Sequence, residues 1–241
     1  MTRRVGEDLA RILSQTRPVL LDFDGPVCPI FANGVNSELA AKMRSTLRRA
    51  GADIPQHVAD DYDPIRVLQF AATLDRPDLT ALAEDVFRTG EVEAARRAIP
   101  TPGAHEAIRA CHEAGRPLVI VSNNYAGAIE VYLQRHNLDP FVQAVIGRAY
   151  ARPDLMKPHP DPVHRALAIL EAEPASCVLV GDSVTDIEVA RATGVRSIGY
   201  VKRPDRLAGL LAAGAEVTID DMHALAQALR TVAPISSSPA A

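Results

Sequence analysis

The sequence has no apolar run long enough to span a membrane and no run of basic residues. Its first residues, MTRRVGEDLARIL, place Glu7, Asp8 and Arg11 where a signal peptide needs apolar side chains. The formal net charge is −4 at pH 7, so nucleic acid and anionic membrane surfaces are electrostatically poor partners. These absences predict a cytoplasmic protein with a small polar ligand, which binds neither nucleic acid nor membranes.

Cysteine is also scarce. The chain has three cysteines, Cys28, Cys111 and Cys177, an odd number without the spacing of a metal site. This pattern is typical of reduced thiols in a reducing compartment. We therefore assign the cysteines no role beyond packing.

The pattern of apolar residues predicts an α/β fold. With 241 residues, 47% of them hydrophobic, the chain can bury one full core and a modest second lobe. Single helices separate most of the predicted strands, which favours right-handed βαβ units and a doubly wound parallel sheet that is covered on both faces, as in Rossmann-like folds. The predicted strands are 19–21, 117–121, 143–146, 177–180, 195–200 and 216–219, and the predicted helices of this core are 5–15, 103–114, 126–135, 163–172, 184–193, 204–213 and 222–232.

One region departs from this alternation. Residues 31–98, here called the insert, show helical periodicity and no strand pattern. We therefore predict a core formed by residues 1–30 and 99–232, a helical cap formed by the insert, and a disordered tail at 233–241, which is small, polar and interrupted by proline. The predicted helices of the insert are 36–51, 65–74, 79–88 and 92–99.

Polar side chains stand where the central strands are predicted to end. The carboxyl ends of parallel strands meet at one edge of a sheet, where ligands bind. Asp22 and Asp24 follow the first strand; Ser122, Asn123 and Asn124 follow the second; Lys157 lies in the loop after the third; Gly181, Asp182, Ser183 and Asp186 follow the fourth.

The residue types at this edge favour phosphoryl transfer. Four converging carboxylates repel one another unless a cation shares them, and oxygen ligands without histidine or cysteine suit Mg²⁺. A hydroxyl, backbone amides and a lysine remain to hold an anion beside the metal. Each group also has a structural interpretation: Ser183 and Asp186 fit a capping box, Ser122 an N-cap, and Lys157 a solvated side chain. Together, however, these groups favour a site.

Four motifs carry a resemblance to a known family. They are DFDGPV at 22–27, VIVSN at 119–123, the lysine of MKPHPDP at 156–162 and VGDSVTD at 180–186. In this order they resemble the haloacid dehalogenase (HAD) superfamily of hydrolases. The segment at 102–115 and the KPHPDP loop further resemble its phosphoglycolate phosphatase and β-phosphoglucomutase branch. The resemblance spans about residues 17–232 and implies a phosphatase with a helical cap.

The resemblance implies a role for each carboxylate. Asp22 matches the nucleophile that forms an aspartyl-phosphate, and Asp24 matches the general acid and base. The Mg²⁺ ligands are then the carboxylates of Asp22 and Asp182 and the backbone carbonyl of Asp24, with Asp186 as a supporting carboxylate. One departure is Pro26, which stands where relatives usually have threonine and offers no hydroxyl to Asp24.

The remaining roles concern the substrate. Ser122, Asn123 and Lys157 are the predicted phosphate-binding residues, and the insert matches a mobile cap that excludes water. The predicted ligand is a small phosphorylated metabolite. A sugar phosphomutase and a non-catalytic phospho-ligand-binding protein remain alternatives, and the substrate and the choice between monomer and homodimer stay open. Possible specificity residues in the insert are Asn33, Asn36, Arg44, Arg48 and Arg66.

Overall fold

The computed structural model describes residues 3–235. Of the tail that was predicted to be disordered, residues 233–235 follow the last helix without regular structure, and residues 236–241 lie outside the described residues. Within residues 3–235, no helix is both long and apolar enough to cross a lipid bilayer.

The strands form the predicted parallel sheet. In residues 3–235 the sheet has six strands, which are β1 Val19–Leu21, β2 Leu118–Val121, β3 Ala144–Ile146, β4 Val178–Gly181, β5 Arg196–Tyr200 and β6 Val217–Ile219. Their order is β3-β2-β1-β4-β5-β6, and every neighbouring pair is parallel. The doubly wound α/β fold is confirmed, and β1 lies at its centre.

Helices cover both faces of this sheet, as predicted. In chain order the α-helices of the described residues are α1 Arg3–Ser14, α2 Val35–Arg49, α3 Gln56–Ala59, α4 Pro64–Ala72, α5 Pro77–Ala95, α6 Ala104–Glu113, α7 Ala126–Arg135, α8 Asp161–Leu170, α9 Val184–Thr193, α10 Leu207–Ala213 and α11 Met222–Thr231. Successive side chains of a strand point to opposite faces. Accordingly, Leu20 packs with side chains of α8 and α9, whereas Val19 and Leu21 pack with those of α1, α6, α7 and α11. Helix α1 lies against the edge strand β6.

The insert contains α2 to α5 and a hydrophobic cluster of its own, in which Leu39, Met43, Leu68 and Phe87 are buried. The prediction of two helices at 79–88 and 92–99 was wrong, because α5 runs unbroken from Pro77 to Ala95. Gly90 interrupts the apolar pattern for a packing reason: a Cβ atom there would lie 2.4 Å from Leu39 Cδ1 of α2. The close approach of α2 and α5 favours glycine at this point. Treating the insert as a separate cap domain stays a prediction.

Candidate active site

A cavity of about 280 Å³ opens at the carboxyl ends of the central strands. Because β1 lies between β2 and β4, the residues that follow these three strands converge on one place. The lining residues are Asp22, Asp24, Phe31, Asp63, Ile65, Ser122, Asn123, Asn124, Lys157, Asp182, Ser183, Thr185, Lys202 and Arg206. The structure therefore brings together the site residues predicted from the sequence, with Asp186 buried directly beneath them.

Lys157 is the buried cation of the site and not a solvated side chain. Its Nζ atom donates to Asp22 Oδ1 at 2.8 Å, to Asp186 Oδ1 at 2.6 Å and to the Val121 carbonyl at 2.8 Å. Burial alone would lower the pKa of Lys157, but Asp186 and Asp22 raise it above its ordinary value. Lys157 consequently stays charged and fixes one oxygen of Asp22.

Asp186 caps helix α9 and also contacts Lys157. Its Oδ2 accepts from the Ser183 amide at 3.0 Å, while the Asp186 amide donates to Ser183 Oγ at 3.3 Å, which completes the capping box of α9. Its Oδ1 accepts from Lys157. The capping interpretation is therefore correct, and it orients the same carboxylate that holds the lysine.

Three buried carboxylates form a candidate metal site. One oxygen from each of Asp22, Asp182 and Asp186 lies within 4.8 Å of the others. An all-oxygen set of this kind suits Mg²⁺. Asp24 is not one of these three carboxylates; its Oδ1 accepts from the Ile30 amide at 3.1 Å, and its backbone carbonyl stays the predicted ligand atom. The same amide gives Asp24 a fixed partner although Pro26 offers no hydroxyl.

Crowding in this cluster changes the acidity of its carboxyl groups. Burial raises the pKa of Asp22 to about 7, opposed by Lys157 and reinforced by Asp186 and Asp182. Burial likewise raises the pKa of Asp24 to about 6, opposed chiefly by Lys202. A divalent cation among these groups would favour their ionised forms. The residues present therefore fit the Mg²⁺ that the sequence predicts.

The loop after β2 is held in place by its own side chains. Ser122 Oγ donates to Asn124 Oδ1 at 2.9 Å. Tyr125 occupies the N-cap position of α7, so the interpretation of Ser122 as its N-cap is wrong. Asn123 Nδ2 donates to the Lys157 carbonyl at 3.1 Å, and the Lys157 amide donates to Asn123 Oδ1 at 2.8 Å. Asn123 thus joins the loops that carry Ser122 and Lys157, and its contact with phosphate stays a prediction.

Two cationic residues of the cavity were missed by the sequence analysis. Lys202 and Arg206 follow β5, and Lys202 Nζ forms an ion pair with Asp182 Oδ2. The strand-end rule that found the other residues would have found Lys202 if it had been extended to β5.

The insert contributes different residues from those suggested. Phe31, Asp63 and Ile65 line the cavity, whereas within residues 3–235 the five candidates named from the sequence do not. Arg44 donates instead to the Asp61 carbonyl, and Arg66 pairs with the Asp61 side chain. Both arginines therefore contact the loop that carries Asp63.

Gly25 gives a test of the geometry around Asp182. Its φ is +116°, and a Cβ atom there would lie 2.4 Å from Asp182 Oδ2. Gly51 is a matched control, with φ +87° and no atom within 4 Å of a Cβ. We expect Gly25→Ala and Gly51→Ala each to lose about 1–2 kcal/mol of unfolding free energy from backbone strain. Only Gly25→Ala should also lose Mg²⁺ binding measured by calorimetry; equal Mg²⁺ affinity in both variants would contradict the site.

Comparisons with known proteins decide the family. The family model described as haloacid dehalogenase-like hydrolase matches residues 17–194, which is well over half of the chain. The chain belongs to this family of hydrolases. The resemblance inferred from the four motifs is thereby confirmed.

Similar proteins include phosphatases. A phosphoglycolate phosphatase of Aquifex aeolicus is 27% identical over 199 residues, which cover 77% of this chain and 87% of the relative. A plasmid phosphoglycolate phosphatase of Cupriavidus necator is 30% identical over 181 residues, covering 73% and 74% of the two chains. A crystal structure of a HAD family hydrolase from Deinococcus radiodurans, with bound phosphate and sodium, matches with a TM-score of 0.59 and 25% identity over 90% of this chain and 99% of that one.

Proposed function

We propose that the protein is a Mg²⁺-dependent phosphatase that hydrolyses a small-molecule phosphomonoester through an aspartyl-phosphate on Asp22. The observation that carries this proposal is the position of Asp22 at the cavity, with one oxygen held by the buried Lys157 and with Asp182 and Asp186 beside it. Membership in this hydrolase family and relatives named as phosphatases support a phosphoric monoester hydrolase.

Each residue has a defined task in this reaction. The carboxylates of Asp22 and Asp182 and the carbonyl of Asp24 would hold Mg²⁺, which supplies positive charge to the phosphate when bound. The oxygen of Asp22 that Lys157 leaves free forms the new bond to phosphorus while the ester bond breaks, and Asp24 gives its proton to the departing oxygen. Asp24 then takes a proton from water, which attacks phosphorus and releases phosphate from Asp22. Ser122 and Lys157 hold the transferred group.

The cavity favours a small substrate. Its volume of about 280 Å³ fits a metabolite rather than a protein surface. Lys202 and Arg206 add two cations to Lys157 along its wall, while Phe31 and Ile65 add apolar surface from the insert. One relative is named as a phosphoglycolate phosphatase and another as the pyrophosphatase PpaX, so phosphoglycolate and pyrophosphate are the first substrates to test. A cytoplasmic location and the role of the insert as a cap that excludes water stay predictions.

Phosphate release from a panel of small phosphomonoesters tests this function. We expect release with Mg²⁺, loss of release when EDTA removes the metal, and recovery when Mg²⁺ is restored. Ca²⁺ is larger and less strict in geometry, and should bind but support turnover poorly. Full activity in EDTA would contradict the metal assignment. Formation of a substrate isomer without phosphate release would instead indicate a mutase, and no turnover of any ester would indicate a binding protein.

A further inference from the structure

A buried cluster of charges joins the insert to the core next to the candidate active site. Glu84 and Glu91 lie on α5, and Arg148 lies in the loop after β3; all three side chains are fully buried. Arg148 Nη2 donates to Glu84 Oε1 at 3.0 Å and to Glu91 Oε2 at 2.8 Å. Arg148 Nη1 also donates to the Asn123 carbonyl at 2.7 Å. The cluster therefore reaches the loop that carries Ser122.

Glu91 contacts this loop directly, and Glu84 does not. Glu91 Oε1 accepts from Asn124 Nδ2 at 2.9 Å and from the Tyr125 amide at 3.2 Å. The side-chain partners of Glu84 among the described residues are Arg148 and Arg88. The two glutamates thus pair with the same arginine and are equally buried, but only Glu91 contacts Asn124.

The chemistry of Glu91 decides which way the Asn124 amide faces. An ionised carboxylate can only accept hydrogen bonds, so the NH₂ group of Asn124 must face Glu91 and its carbonyl oxygen must face the opposite way. That oxygen, Oδ1, accepts a hydrogen bond from the Ser122 hydroxyl at 2.9 Å. The backbone N–H of Asn124 donates in turn to Ser122 Oγ at 3.3 Å. The hydroxyl of Ser122 is therefore oriented by a chain of contacts that begins on the insert.

We propose that Glu91 is a positioning residue for phosphate binding, which acts on Ser122 through Asn124. This inference rests on the proposed function in one respect, namely that Ser122 holds the phosphate. Through Glu91, the conformation of the loop that carries Ser122 depends on how α5 packs against the core. A residue of the insert that does not line the cavity thereby controls the affinity of the site.

Calorimetric binding of inorganic phosphate in the presence of Mg²⁺ tests this role, with Glu91→Gln compared to Glu84→Gln. Each variant removes one of the two buried carboxylate charges that pair with Arg148, so both should lose thermal stability. A glutamine at 91 can donate as well as accept, and the Asn124 amide is then free to turn. We expect the phosphate Kd to rise on the order of tenfold for Glu91→Gln, the effect of losing one hydrogen bond to a charged group. For Glu84→Gln the Kd should stay within about twofold of the parent, since no contact to Asn124 is lost.

A double-mutant cycle with Asn124→Ala separates positioning from a general loss of stability. Asn124→Ala should itself weaken phosphate binding, and Glu91→Gln should then change the Kd no further, because both substitutions interrupt the same chain of contacts. If Glu91→Gln does not fold, Glu91→Asp takes its place, since it keeps the charge and shortens the side chain. Equal weakening by the Glu84 and Glu91 variants, or additive effects in the cycle, would overturn the inference. Failure of the parent protein to bind phosphate with Mg²⁺ would instead overturn the proposed function, and this inference with it.

Discussion

Asp22→Asn is expected to abolish phosphate release, by at least about 10⁴-fold, because the amide that replaces the carboxylate is not a nucleophile toward phosphorus. The substitution also removes the carboxylate charge of Asp22, to which Lys157 Nζ donates at 2.8 Å. No phosphate-sized adduct should form on this variant with any ester. The measurements are phosphate release under saturating Mg²⁺ and the intact-protein mass after mixing with substrate. An adduct on Asp22→Asn would mean that another residue is the nucleophile.

Asp24→Asn is the matched comparison, because it changes a second carboxylate of the same cavity and keeps the backbone carbonyl that is proposed to bind the metal. Loss of a general acid and base should slow turnover about 10²–10⁴-fold. A nitrophenyl phosphate has an acidic leaving group that needs little protonation, so Asp22 should still become phosphorylated while hydrolysis stalls. We therefore expect the adduct on Asp24→Asn alone. Hydrolysis by this variant at the parent rate would show that the two roles are assigned wrongly.

Much of the fold follows from local patterns in the sequence. The bounds of α7 and α9 were predicted to the residue; for α9 the local signals are the capping box of Ser183 at its start and Gly194, with a positive φ, at its end. The prediction failed at α5, which was divided into helices at 79–88 and 92–99 although it runs unbroken. Gly90 lies between these two stretches and packs against Leu39, which is far away in the sequence and leaves no local signal.

The candidate site was predictable for a different reason. In a parallel sheet the ends of neighbouring strands must converge, so the aspartates after β1 and β4 and the serine after β2 were placed together before any contact was known. This argument says nothing about groups that join two parts of the chain. Arg148 lies 57 residues from Glu91 and 64 residues from Glu84, and no spacing rule connects them.

The buried cluster joins α5 of the insert to the core through ion pairs between Arg148 and two glutamates. A single substitution at Glu84 or Glu91 would leave the buried guanidinium of Arg148 with only one carboxylate partner from α5. Removal of one partner of a buried ion pair is strongly destabilising, because the remaining charge is not compensated. Point substitutions in the cluster therefore test how the insert is coupled to the core.

Arg148→Met is expected to lower the free energy of unfolding by about 3–5 kcal/mol, since it leaves two buried glutamates without their shared cation. Methionine keeps much of the apolar contact that the arginine makes with the Phe87 ring, whose centroid lies 4.1 Å from the guanidinium carbon.

Arg152→Met is the control: this arginine lies in the same loop but pairs with Asp154 at the surface, where both side chains are more than half exposed. Exposed pairs of this kind contribute little to stability. Urea unfolding with Mg²⁺ present should show a large fall in the midpoint for Arg148→Met and almost none for Arg152→Met. Similar midpoints for the two variants would show that the buried cluster does not hold α5 against the core.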